Sequence, residues 1–168
     1  MGREDDYTIK PGADLTGADL TNANLTRANL TSANLRGARF PSANLHGADL
    51  RGADLTDADL TDSTLRCADL TDADLSGVNL SGAILVHAKM EVAKLTNACL
   101  KDANLIDANL EDADLTGADL TGANLSGADL GGAHLTHAKL YGANLTGANL
   151  DGATCPSGAP ATGNPPTC

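Results

Sequence analysis

The residues able to do chemistry in this chain are its 22 Asp and Glu, four His and four Cys, set against 11 Lys and Arg. Clustered carboxylates can imitate a phosphate backbone, and His with Cys can ligate zinc. The carboxylates crowd into two stretches. Residues 49–74 carry eight Asp against Arg51 and Arg66. Residues 102–119 carry Asp102, Asp107, Glu111, Asp112, Asp114 and Asp119, beside Lys101. His134 and His137 flank Leu135. No CxxC, HExxH, phosphate loop or nucleophile elbow organises any of them. The expectation is a protein that is not an enzyme and holds no metal or cofactor.

Composition limits the frame that holds these groups. The chain has 168 residues, one Phe, two Tyr and no Trp. Large aromatics normally supply much of a globular core. Here Ala and Leu must do so, which implies a narrow, uniform interior with no concave pocket for tuning a catalytic group. The net charge of −11 opposes binding to nucleic acid or to an anionic membrane. It suits a basic partner, or a protein that normally grips DNA. Met1 to Asp6 is acidic, with no apolar run behind it. No segment approaches the roughly 20 apolar residues of a membrane span. The compartment expected is the cytoplasm, or an exported location if a leader has been removed.

The frame itself is a unit of five. From Leu15 to Leu150 every fifth residue is a centre, giving 28 units, and 26 of the centres are Leu; Phe40 and Met90 replace it. Two residues earlier stands Ala, except at Ser63 and Val78. Between them lies Asp in 10 units and Asn in 10; Thr or Ser follows the centre in 15, and Gly ends 13. On a helix a step of five would carry Leu around every face. On one continuous strand it would alternate sides. Ala and Leu are two apart and share a face when extended, and a turn through Thr-Gly restores that face for the next unit. Each unit is therefore a short extended side and a corner, with Ala and Leu inside the coil.

Tandem Ala-Asp/Asn-Leu-Thr/Ser-Gly from residue 13 to residue 152 resembles the pentapeptide-repeat family. The resemblance implies an all-β fold, a right-handed parallel β-helix of quadrilateral section with four units per coil and about seven coils. At roughly 4.8 Å per coil the rod would be about 34 Å long. Residues 1–12 are expected to form an N-terminal cap, with Tyr7 and Ile9 as lids and the segment off the repeat register. Residues 153–168 form a Pro- and Gly-rich tail without regular structure. Cys155 takes the place of the next centre, and a Cys155–Cys168 disulfide would close the tail; two free thiols are the alternative. A disulfide would favour an exported protein.

With four units per coil, residues 20 apart stack. Asp54 then lies on Asp74, flanked by Asn34 and Lys94, and Asp49 on Asp69, leading to Lys89. His87 stacks on Cys67 and His134 on Asp114, each short of a zinc site; Cys67 and Cys99 fall apart and should not pair. Ile84, Val86 and Ile106 are expected on the outside as a small apolar patch beside Lys89 and Lys94. The function expected is a non-catalytic structural or interaction module with an unknown protein partner, monomeric or weakly dimeric. The family also includes quinolone-resistance proteins that bind DNA gyrase as DNA mimics, which supplies the alternative. B-DNA of about 34 Å would carry about 20 charges, nearly twice the net charge here.

Overall fold

The computed structural model describes residues 8–159, 161–163 and 166–168. Tyr7, expected as a lid, lies outside them. From Asp14 to Thr154 the residue preceding each centre forms a parallel bridge with the residue 20 further on. The coil therefore closes every four units. The unit centred on Leu50 illustrates the pattern. The Leu50 N–H donates to the Asp69 carbonyl (2.7 Å), the Gly52 N–H to that of Thr71 (3.0 Å), and the Asp69 N–H to that of Ala48 (2.9 Å). The Ala53 N–H closes the corner on the Leu50 carbonyl (3.0 Å). Each unit through the one centred on Leu135 thus satisfies its backbone against the next coil and its own turn.

The corner requires positive φ at the last residue of the unit, as at the third position of a type II turn. Gly supplies it at no steric cost, and 15 other residues adopt it, mostly Asp, Asn and Ser. Val92 does so at φ 60°. A β-branched side chain is poorly suited to that conformation.

The interior is a continuous column of Leu and Ala, with Phe40 and Met90 equally enclosed. Ser63 replaces Ala inside the core and satisfies its hydroxyl by donating to the Leu60 carbonyl at 2.7 Å. Each buried Leu contributes about 2 kcal/mol relative to exposure. The described residues include no helix long and apolar enough to cross a membrane.

Both ends correct the sequence reading. Lys10-Pro11-Gly12 is in register: the Gly12 N–H donates to the Thr31 carbonyl, and the Ala13 N–H to that of Lys10. Gly12 has the positive φ of every other corner, so Lys10 stands in the place of a centre. Ile9 is partly buried against the core. At the other end Thr154 still pairs with His134, and Cys155 is buried as a centre. Beyond it the tail does acquire regular structure. Strand β1 (Thr162–Gly163) pairs antiparallel with β2 (Pro166–Thr167). Cys155 and Cys168 are joined, their Cα atoms 5.2 Å apart. The Ala161 N–H reaches the Ala153 carbonyl. Closing the segment into a ring brings its two arms side by side, which outweighs the poor strand character of Pro and Gly.

Candidate interaction surface

The outer positions are less free than their polarity suggests. The carboxylate or amide before each centre accepts from the backbone N–H two residues on, and commonly from that residue's hydroxyl. Asp54 Oδ1 receives the Thr56 N–H at 3.0 Å and the Thr56 hydroxyl at 2.6 Å. Asn24 does the same for Thr26. This Asx arrangement explains why Asp and Asn alternate so readily there: both present an acceptor oxygen to the same N–H.

The same bonds depress the carboxylates. Asp49 is held at about 2, first by hydrogen bonding from the Arg51 side chain. Asp119 is also held at about 2, first by hydrogen bonding from Thr121, with Lys139 and Lys101 adding to it. At Asp54, Asp74 and Asp114 partial burial is the largest single influence and pushes upward. Hydrogen bonds from Thr56, Ser76 and Thr116, with Arg36 beside Asp54, Lys94 beside Asp74 and Thr96 beside Asp114, together outweigh it, and the net shift is downward.

Cations run along the ladders. Arg36 reaches Asp54 (3.2 Å), Arg39 Asp19 (3.5 Å), Lys89 Asp69 (3.9 Å), and Lys94 Asp74 (3.5 Å). Lys101 and Lys139 converge on Asp119 from coils on either side of a shared column, at 3.5 and 3.3 Å. Among the described residues seven Lys and Arg are ion-paired, Arg51 included; all are solvated, and such pairs contribute little individually.

The expected apolar patch does not form as drawn. Val86 is 6% exposed and belongs to the buried set. Arg66, Val86 and Ile106 hold equivalent positions in successive coils, and neighbours about 4.8 Å apart shield one another. Ile84 and Ile106 are half-buried. Lys89 and Lys94 lie in two other columns, Lys94 on the side opposite Ile84. Among the described residues the exposed large apolar ones are instead Val92 (54%) and Tyr141 (86%), neither of which the repeat marks out. His87 Nδ1 faces Asp107 at 3.9 Å. Cys67 and Cys99 are separate free thiols, Cys99 Sγ lying 3.1 Å from the Ser81 hydroxyl. Among the described residues no group of three or more His, Cys, Asp and Glu is placed to hold a metal ion.

The bridges sort the outer residues into four faces, named here by their first bridging residue: Asp14, Asp19, Asn24 and Asn29. Their charges differ sharply. The Asn29 face carries eight carboxylates against Arg51 and Lys89. The Asp14 and Asp19 faces carry five each. The Asn24 face carries one, Asp107, with Arg27 and Arg66. Its bridging column reads Asn24, Asn44, Thr64, Ile84, Asn104, Asn124, Asn144, without a single charge. In the sequence this face is marked by residues 20 apart, whereas the contiguous acidic stretches run across several faces.

A family model for pentapeptide repeats matches residues 12–47, 43–82, 73–112 and 113–152. The pentapeptide repeat protein HetL, involved in heterocyst differentiation regulation in the cyanobacterium Nostoc sp. strain PCC 7120, is 30% identical. That alignment covers 91% of this chain and 93% of HetL, with a TM-score of 0.47. QnrB1, a plasmid-mediated fluoroquinolone resistance protein, is 24% identical in a trypsin-treated form, over 84% of this chain and 77% of its own, with a TM-score of 0.67. A pentapeptide repeat protein of the Arabidopsis thaliana thylakoid lumen is 30% identical over 64% of this chain and 69% of its own, with a TM-score of 0.43. No curated protein sequence matches.

Proposed function

From the premise that this chain belongs to the pentapeptide-repeat family, we propose that it is a non-catalytic interaction module. In this reading it is a right-handed quadrilateral β-helix that presents fixed columns of polar side chains to a protein partner. The observation that carries the reading is the use of the outer polar groups. Asp and Asn before the centres are hydrogen-bonded to their own backbone along the rod, as at Thr56 and Thr26, instead of converging on a reacting atom. Catalysis needs groups aimed at one point; columns suit a partner that is itself extended. The test is capture from the native organism with wild-type protein and with an Asp49→Asn/Asp69→Asn/Asp129→Asn variant. A specific partner retained by the first and lost by the second supports the reading. Loss of no partner from that variant removes the Asn29 face from it.

One observation favours a second reading, a DNA mimic that binds a type II topoisomerase. A DNA strand carries one charge per roughly 3.4 Å, so about 34 Å of strand holds about 10 phosphates. The Asn29 face offers eight carboxylates along the rod. Inhibition or protection of gyrase supercoiling at micromolar protein supports this reading, and an unaltered reaction eliminates it. The bond between Cys155 and Cys168 bears on compartment. A native mass two hydrogens below the reduced chain places the protein in an oxidising location; the reduced mass places it in the cytoplasm.

A further inference from the structure

We propose that the Asn24 face is a self-association surface, on which a second copy of this chain docks antiparallel about a two-fold axis. This stands apart from the partner reading above, because it concerns a different face. The first ground is charge. The other three faces hold 18 of the 22 carboxylates, and two such faces brought together would repel. On the Asn24 face another acidic rod can approach without opposing like charges.

The second ground is what such an approach brings together. Let the axis lie along the chain direction of the face and pass through the coil of Leu85, the fourth of the seven units on that face. Each side chain then keeps its lateral position while the coils exchange in reverse order. Asn44 meets Asn124 of the second copy, Asn24 meets Asn144, and Ile84 meets its own equivalent. Amides both donate and accept. Here each of these four amides keeps an oxygen on its own backbone N–H; Asn24, Asn44 and Asn124 have N–H groups to offer outward, whereas Asn144 Nδ2 donates within the rod to Ser126 Oγ at 2.8 Å. The half-buried Ile84 and the buried Val86 sit on the axis, where a symmetric interface has its centre.

The third ground is Arg66. Seven Lys and Arg are ion-paired within the rod; the exposed Arg66 has no ion pair among the described residues. The two-fold places it, one coil before the axis, against the coil one after the axis in the second copy, on the side where Asp107 lies. The contact occurs twice by symmetry. A parallel arrangement reverses the lateral order and offers Arg66 no carboxylate. Area is not limiting: one face of four is on the order of a quarter of the 7767 Å² surface, more than twice the roughly 800 Å² per partner of a standard interface.

The experiment is sedimentation velocity on the full chain from micromolar to submillimolar concentration. The expected result is a concentration-dependent doubling of mass. In an Asn44→Asp/Asn104→Asp/Asn124→Asp variant the doubling should vanish while the far-ultraviolet spectrum and the melt stay unchanged, since Asp occupies this position in 10 other units. Arg66→Glu should weaken association more than tenfold, and Arg66→Glu with Asp107→Arg should restore it. A wild-type chain monomeric throughout overturns the proposal, and so does a dimer indifferent to the three Asp. Failure of the charge exchange to restore association overturns the antiparallel register.

Discussion

The Asn24 and Asn29 faces are adjacent sides of the same coils. They share one Leu and Ala core, one pattern of backbone hydrogen bonds and one kind of corner. Yet one carries a single carboxylate and the other eight. The fold therefore imposes no charge on its outside. What it imposes at the position before each centre is an acceptor oxygen for the backbone, and Asn and Asp meet that demand equally. The choice between them is free for solubility or recognition, and along the Asn24 column it was made the same way in every unit that uses one of the two.

The comparison holds only while both faces hang on a common core, so the largest effect comes from breaking that core. Leu75→Lys should cost roughly 5 kcal/mol or more, combining about 2 kcal/mol of lost burial with an unpaired buried charge. A denaturant melt like that of the wild type would disprove the inward placement of Leu75.

Acid should separate the faces next. The carboxylates with lowered pKa values (Asp14, Asp19, Asp49, Asp54, Asp74, Asp114 and Asp119) all lie off the Asn24 face. A carboxyl held below its unfolded value stabilises fully above that value and loses its contribution as pH falls toward the folded one. For Asp49 and Asp119 the window runs from 3.8 down to about 2. The melting temperature should fall across it, and Asp49→Asn with Asp119→Asn should flatten the fall. A melting temperature rising through that window would refute the assignment.

Corner glycines mark a limit of the contrast, because their strain follows the residue one coil below and not the face: Gly127 on the Asn24 face meets Asp107 Oδ1, while Gly52 on the Asn29 face meets nothing nearer than Ser32 Oγ at 3.6 Å. A Cβ added at Gly132, on the Asn29 face, would run into Asp112 Oδ1 of the preceding coil. One added at Gly47, on the Asn24 face, meets nothing nearer than Arg27 Cγ at 3.6 Å. Gly47→Ala should cost about 1–2 kcal/mol for the left-handed backbone alone. Gly132→Ala should cost about 1 kcal/mol more, because Asp112 must leave its rotamer. Equal costs in chemical denaturation would show that the carboxylate yields freely. The smallest effect expected is a gain: Val92→Asn relieves a β-branched residue from positive φ and should stabilise by about 1 kcal/mol.

The period of five and its inward Ala and Leu are legible without coordinates, because one side chain type fills one geometric role along the whole repeat. Four units per coil does not follow from the spacing, since the hydrogen bonds that close a coil join residues 20 apart and leave no local trace; it comes from the family resemblance alone. The ends mislead for a related reason. Lys10 occupies a place that Leu fills elsewhere, and only the backbone bonds of Gly12 and Ala13 reveal it as part of the coil; Cys155 is legible as the next centre, but the strand pair beyond it is not. The Ile84 patch misleads differently. Parity puts Val86 outside, but parity is blind to the neighbour one coil away that covers it.

Closure at 20 residues also constrains how such a chain can change its length. Duplicating a stretch of 20 adds one storey and leaves every column above and below in line. Gaining or losing a single unit of five leaves the core intact, since Leu still meets Leu, but turns everything beyond it by a quarter. Losing the unit centred on Leu30, for example, would set Asp49 and then Asp69 on Asn24. In this architecture an insertion that is silent for folding rewrites the surface, so the outer pattern records the history of whole storeys, whereas the inner one does not.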